Sequence, residues 1–202
     1  MDNWYDKYKV DIPEGKSGIW RVERFTVTPQ DENLERIRAI ASSSSRGRFT
    51  LAGTYTRLMR GNELVMSDTP DEIRDHRGAI YEAKGNVLIN GLGLGMMARA
   101  VLLKPEVDQV TVIEIDPDVI KLVGKYLISQ FPMRLEIIKG DAFQYMPPKG
   151  IRYDMVWHDI FDNITADNLP LMSKLHRKYG KRTEWQGSWA KELCEMRRDG
   201  WR

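Results

Sequence analysis

Four short stretches of this chain put glycines and carboxylates where an α/β crevice does chemistry. Asn90 to Gly95 reads NGLGLG, after a short apolar run and before a helix-like one. Glycines at such a junction let main chain approach a ligand, and the helix start that follows offers free N–H groups; a structural turn is the plainer alternative. The spacing is G-x-G-x-G over Gly91, Gly93 and Gly95, and Met96 stands where a dinucleotide fingerprint wants Gly or Ala. A nicotinamide cofactor is therefore disfavoured. Glu114 lies 23 residues beyond Gly91, at the end of the next apolar run. An acidic side chain there can take both hydroxyls of a ribose, or simply be a solvated strand-end carboxylate. Asp141, in Gly140-Asp141-Ala142, either accepts from an adenine amino group or caps a turn. Asp159 follows a fourth apolar run, in Trp157-His158-Asp159-Ile160-Phe161-Asp162-Asn163. It is placed to orient or deprotonate a nucleophile, with a loop-capping role as the alternative. His158 reads as a packing histidine. Asp159, Asp162 and Asn163 offer oxygen ligands from one short loop only, so no metal is expected.

The elements that must position these groups alternate. Val87–Ile89, Val110–Ile115, Leu135–Ile138 and Tyr153–Trp157 read as strands, and Met96–Leu103 and Pro117–Ile128 as helices, the second with Asp116 as N-cap and Pro117 at N1. That grammar gives right-handed βαβ units and a parallel sheet covered on both faces, a doubly wound, Rossmann-like α/β core. In a sheet ordered 3-2-1-4, Asp159 points into the crevice at the topological switch. Beyond Asp162, Leu169–Tyr179 and Trp185–Arg197 read as helices, and the sheet is C-terminally shortened. Upstream lies a small β-rich lobe: a strand with a bulge or bend over Ile19–Thr28, a short helix over Asp31–Ala41, a flexible joint at Ser42–Ser45, and a hairpin of Phe49–Met59 and Glu63–Met66 around Arg60-Gly61-Asn62. A helix entered at Ser67–Glu72 runs to about Ala83. The expected division is 1–84 for this lobe with its linking helix and 85–202 for the ligand-binding core with its helical C-terminus.

Composition narrows the function classes. In 202 residues, 42% are hydrophobic and 30% charged, which suits one sizeable core with a small lobe and excludes two large domains. With 31 basic against 29 acidic residues, net +2, bulk charge alone does not hold the chain on nucleic acid or an anionic membrane. The segment from Lys174 to Arg182, near Trp185 and Trp189, is basic and reads first as a solvated helix face, with a nucleic-acid contact as the alternative. Cys194 is the single cysteine, so an intramolecular disulfide or a multi-cysteine metal cage is excluded and a reducing, cytoplasmic setting is expected. Met1–Asp11 lacks the apolar stretch of a signal peptide, and Val87–Leu103 is interrupted by Asn90, Arg99 and three glycines, so no membrane span is expected. Trp185, Trp189 and Trp201 suit covering a sheet edge or a second chain, hence an expected homo-oligomer.

VLINGLGLG, VTVIEID, GDA and YDMVWHDIFD, in that order and spacing over Val87–Asp162, resemble the class I S-adenosylmethionine-dependent methyltransferases, most closely their spermidine-synthase-like branch. The resemblance implies that Asn90, Gly91, Gly93 and Gly95 cradle the methionine part of S-adenosylmethionine or its decarboxylated form, that Glu114 binds ribose, and that Asp141 with Ala142 meets adenine. Asp159 matches the family's catalytic carboxylate and Asp162 its amine-contacting partner. Four positions depart from the branch pattern. Leu92 and Leu94 stand in the glycine run where an aspartate is usual, Leu64 replaces a glutamine after the hairpin glycine, and Asn163 replaces a proline. The leading expectation is methyl transfer to an N- or O-nucleophile. Aminopropyl transfer from the decarboxylated cofactor to a diamine is the alternative, and a non-catalytic cofactor-binding protein the third.

Overall fold

A small antiparallel sheet comes first. In the computed structural model, which describes residues 4–41 and 49–200, strands β1 (Gly15–Ser17), β2 (Trp20–Val27), β3 (Gly53–Arg60) and β4 (Glu63–Ser67) pair in sequence order. Helix α1 (Pro29–Ala41) leaves the sheet after β2. The serine run Ser42–Ser45 and Trp201 lie outside the described residues. Two short helices, α2 (Pro70–Asp75) and α3 (Arg77–Glu82), lead into the second sheet. There β5 (Gly85–Asn90), α4 (Met96–Leu102), β6 (Val107–Glu114), α5 (Pro117–Val119), a π-helical stretch (Ile120–Gly124), α6 (Lys125–Gln130), β7 (Leu135–Lys139), β8 (Tyr153–His158), α7 (Asn168–Tyr179), β9 (Thr183–Ser188) and α8 (Lys191–Arg198) follow.

The strand order is β7-β6-β5-β8-β9, with every pair parallel. The expected 3-2-1-4 arrangement is present with a fifth strand added. Central strand β5 is apolar at successive positions because both its faces are covered. Val87 and Ile89 enter one hydrophobic cluster, shared with Trp20, Leu58 and Met66 of the first sheet, while Leu88 enters a second with Val156, Leu175 and Tyr179. The chain runs from β5 to β6 on one side and returns to β8 on the other, which opens a crevice at the carboxyl ends of β5 and β8. Among the described residues no helix is long and apolar enough to cross a membrane.

The first sheet is fastened over that crevice by polar bonds. The Trp20 indole Nε1 donates to Asp116 Oδ2 at 2.7 Å, and Ser17 Oγ to Asp118 Oδ1 at 2.6 Å. Asp116 is at the same time the N-cap of α5, accepting from the Asp118 N–H. Trp20→Phe keeps an aromatic ring, smaller than the indole, but removes the donor to a carboxylate, and the lost bond is expected to lower stability by ~1–3 kcal/mol with some packing loss added. The midpoint of urea unfolding reads this directly; an unmoved midpoint means the bond does not hold the lobe.

Three expectations are corrected. Strand β2 has no bulge: it pairs without interruption from Trp20↔Arg60 to Val27↔Gly53, and the register shift falls between Leu58 and Met59 in the β3–β4 pairing. The apolar residues change phase because the two ends of β2 pack opposite faces, Trp20 and Val22 into the shared core, Phe25 against Tyr55 and the Arg57 guanidinium. The helix expected from Ser67 to Ala83 is divided at His76, whose N–H bonds the Ile73 carbonyl three residues back. Finally, Trp185 does not begin a helix. Thr183–Ser188 forms β9, paired from Tyr153↔Thr183 to His158↔Ser188, and only Lys191–Arg198 is helical. The parallel pairing with β8 and the stacking of Trp185 on Trp157, at 6.2 Å and 13° between planes, outweigh the helical periodicity.

Candidate active site

The glycine loop is a packing device before it is a ligand cradle. Gly91 sits at φ +99°, and a Cβ there would overlap the main-chain carbonyl oxygen of Asp159. The loop after β8 therefore lies directly on Gly91, tied down further by the Asp159 N–H donating to the Asn90 carbonyl at 2.7 Å. At Gly93 a Cβ would come within 2.8 Å of Met66 Sδ from the first sheet. Two loops and the lobe thus converge on the end of β5.

Around this junction lies a cavity of about 480 Å³. Of the residues singled out from the sequence, Gly91, Gly93, Glu114, Asp141, Ala142, Asp159 and Asp162 line it. Asn90 and Gly95 do not. The Asn90 side chain is wholly buried and its Nδ2 lies 2.8 Å from His158 Nδ1, while Gly95 gives α4 room against Val123 and Leu127. His158 is buried, with Gln186 Oε1 at 3.4 Å from its Nε2, and burial holds its pKa down at about 3. It packs, as its sequence context suggests. Two basic-segment residues also turn inward: His176 Nε2 lies 2.9 Å from Ser188 Oγ, and Lys178 donates to the Ala142 carbonyl.

The carboxylates differ in how far they are already satisfied. Glu114 accepts from the Leu92 N–H and the Asp116 N–H, each at 2.8 Å, so it joins the glycine loop to the end of β6; burial nevertheless raises its pKa. Asp141 accepts from the Phe143 N–H and from Gln144 Nε2, the geometry of a turn cap. Asp162 is paired with Arg60 at 2.7 Å. Asp159 has no such partner: the His76 imidazole faces it, with Nε2 3.7 Å from Oδ2, too far for a hydrogen bond. Burial, then the negative charges of Asp75 and Glu114, push the Asp159 carboxyl up to about 7. His76 is fully buried and burial lowers its pKa to about 3, so the contact joins a neutral imidazole to a carboxyl group.

A carboxyl held near 7 binds a proton in the folded state that the unfolded chain releases near its ordinary 3.8. Asp159 therefore makes stability fall as pH rises from about 4 to about 7, with a slope approaching ~1.4 kcal/mol per pH unit from this group alone. Asp159→Asn is expected to flatten that part of a stability-versus-pH curve. An equal slope in the variant would move the burden to another group.

Six carboxylate side chains line the cavity, Glu72, Glu114, Asp116, Asp141, Asp159 and Asp162, against one cationic side chain among the described residues, Arg60. An acidic, partly apolar hollow of this kind suits a cationic ligand. Among the described residues no group of three or more His, Cys, Asp or Glu side chains is placed to hold a metal ion. Four features escaped the sequence reading: Arg60, Trp20, Trp189 and His76. Arg60 and Trp20 come from the lobe and Trp189 follows the unexpected strand β9; all three line the cavity, and the Trp189 indole N–H is buried without a partner. His76 stands behind Asp159 rather than in the lining.

Residues 72–181, more than half of the chain, match the spermine/spermidine synthase domain. The chain belongs to this family. Among curated relatives, the polyamine aminopropyltransferase of Oceanobacillus iheyensis is 31% identical over 121 residues, covering 54% of this chain and 23% of the relative. That of Pyrobaculum aerophilum is 29% identical over 127 residues, covering 56% and 44%. The chain thus spans less than half the length of these two relatives. Among solved structures, the spermidine synthase from Thermotoga maritima aligns over 85% of this chain and 52% of its own, at 19% identity and a TM-score of 0.48.

Proposed function

We propose that this member of the spermine/spermidine synthase family transfers an aminopropyl group from decarboxylated S-adenosylmethionine to an amine, with Asp159 as the base. The observation that carries the reading is the cavity itself: an acidic hollow at the end of β5 in which one largely buried carboxyl, Asp159, is left without a strong partner. Family membership and the names of the curated relatives support aminopropyl transfer over the methyl transfer expected first from the sequence.

The donor set fits such a substrate. A sulfonium and an ammonium are both cations, and six carboxylates face the cavity. Glu114 retains acceptor capacity for ribose hydroxyls beyond its two main-chain bonds, and Asp141 beside Phe143 and Ile115 offers a polar edge on an apolar wall for a purine. The lobe of residues 1–84 roofs the cavity through Trp20, Leu58 and Met66, and the core of residues 85–202 forms its floor.

In the reaction, the amine nitrogen bonds to the propyl carbon next to sulfur, the carbon–sulfur bond breaks, and neutral methylthioadenosine leaves. The sulfonium is activated by its own charge, so the protein mainly positions. Holding the nucleophile in a near-attack geometry is worth ~7–11 kcal/mol of barrier. Asp159 takes the proton that the attacking ammonium must lose. Its raised pKa matches that task near neutral pH.

Incubating the purified chain with decarboxylated S-adenosylmethionine and 1,4-diaminobutane or butylamine should release methylthioadenosine and an amine heavier by one aminopropyl group, both visible by mass spectrometry. S-adenosylhomocysteine formed from the intact cofactor, with no methylthioadenosine from the decarboxylated one, would replace this reading with methyl transfer. Tight binding of both without any product would leave a binding protein.

A further inference from the structure

Arg60 is the one cationic side chain lining the cavity among the described residues, and it is placed on an acidic loop. It ends β3 at the hairpin turn, and its guanidinium reaches Glu63 at 2.9 Å and, across 102 residues of chain, Asp162 at 2.7 Å. The Trp20 ring lies beneath it, 5.7 Å from centroid to guanidinium carbon. Two carboxylates and an aromatic face thus hold one guanidinium at the mouth of the cavity.

Asp159 and Asp162 leave β8 on the same loop but differ in depth. The Asp159 side chain is 9% exposed and that of Asp162 40%. Three residues span at most ~10 Å of chain, so an amine seated on Asp159 has Asp162 within reach of a second ammonium on a short carbon chain. That carboxylate is already answered by Arg60.

We propose that Arg60 determines which acceptors the cavity takes: by occupying Asp162 it withholds the carboxylate that a second ammonium would use, so the site gains nothing from a diamine over a monoamine. The identity of the acceptor as an amine rests on the aminopropyl-transfer reading. The occupation of Asp162 by Arg60 does not.

The test is calorimetric titration of butylamine and 1,4-diaminobutane into the full chain with methylthioadenosine present. In the native chain the two dissociation constants should agree within about threefold. Arg60→Gln should strengthen diamine binding relative to monoamine by about tenfold, the effect of freeing one partly exposed charge from its pair. Arg60→Lys, which keeps the charge, should hold the native ratio. Asp162→Asn alone should give the diamine no gain, because that carboxylate is already taken and its loss leaves the Arg60 charge less well paired, and in combination with Arg60→Gln it should cancel most of the gain. A native preference for the diamine above tenfold, a gain of diamine binding in Asp162→Asn, or an unmoved ratio in Arg60→Gln overturns the proposal; so does failure of both amines to bind native and variant chains. Turnover separates the two readings. Product formation with an unmoved ratio removes Arg60 as selector, whereas a shifted ratio without aminopropyl product removes the reaction and leaves the selector.

Discussion

Asp159→Asn is expected to lower aminopropyl transfer by ~10²–10⁴-fold, the usual contribution of a positioned base, while methylthioadenosine still binds. The substitution is nearly isosteric, and the Asp159 main chain, not its side chain, makes the bonds to Asn90 and the contact with Gly91 that shape the loop. What it removes is the group able to take a proton. The native rate should climb with pH as that carboxyl ionises, through a midpoint near the value of about 7 that burial and the charges of Asp75 and Glu114 impose, and level off above it. A bound sulfonium or ammonium would draw the midpoint lower. The variant should lose the rise altogether. A rate within threefold of native, or a native kcat/KM profile, which reports the free enzyme, flat from pH 5.5 to 8, would falsify the assignment of Asp159 as base. His76 does not substitute for it, being neutral, fully buried and outside the cavity lining.

Gly91→Ala should be the most damaging substitution of a single small residue. Two costs fall together. The backbone at φ +99° is strained for any residue with a Cβ, worth ~1–3 kcal/mol. The added methyl also enters the space of the Asp159 carbonyl, and overpacking of that kind costs a further ~1–3 kcal/mol. Relief requires the β8 loop to lift, which would carry Asp159 and Asp162 away from the cavity. Urea unfolding should show a loss of ~2–6 kcal/mol, and activity should fall even in the fraction that stays folded. Gly61→Ala is the matched control. Gly61 also has positive φ, +58°, but nothing lies within 4 Å of its added Cβ, so only the backbone term of ~1 kcal/mol is expected. Equal losses in the two variants would mean that the approach of the β8 loop is not what Gly91 is for.

The glycine and carboxylate variants bear on one structural point, that the same few residues shape the crevice and are the ones proposed to supply its chemistry. Glu114 shows it most clearly. Its carboxylate fastens the glycine loop through the Leu92 N–H and the end of β6 through the Asp116 N–H, so the group proposed to bind ribose is also a brace. Activity loss in a Glu114 variant would mix both roles, which is why Asp159, whose side chain braces nothing by a hydrogen bond, is the cleaner probe.

Much of this was legible in residue types alone. Val87–Ile89 is apolar at three successive positions and Val110–Ile115 is broken only by Thr111 and Glu114, as suits strands buried on both faces, so a parallel sheet followed from local pattern, while the strand order came from the folded chain. Asp116 and Pro117 announced a helix start because capping and the fixed φ of proline act within one turn. The carboxylates at the ends of those strands came with them. Strand β9 was hidden because an edge strand carries polar residues; Thr183, Glu184 and Gln186 hold no apolar alternation, and its pairing with β8 joins segments some thirty positions apart in the chain. For the same reason the roof of the cavity was invisible. Trp20 reaches Asp116 across 96 residues and Arg60 reaches Asp162 across 102. Local periodicity reports which face of an element is buried, but not which distant charge meets it. That meeting required the folded chain, in which the lobe closes over the sheet and brings Arg60 onto an acidic loop.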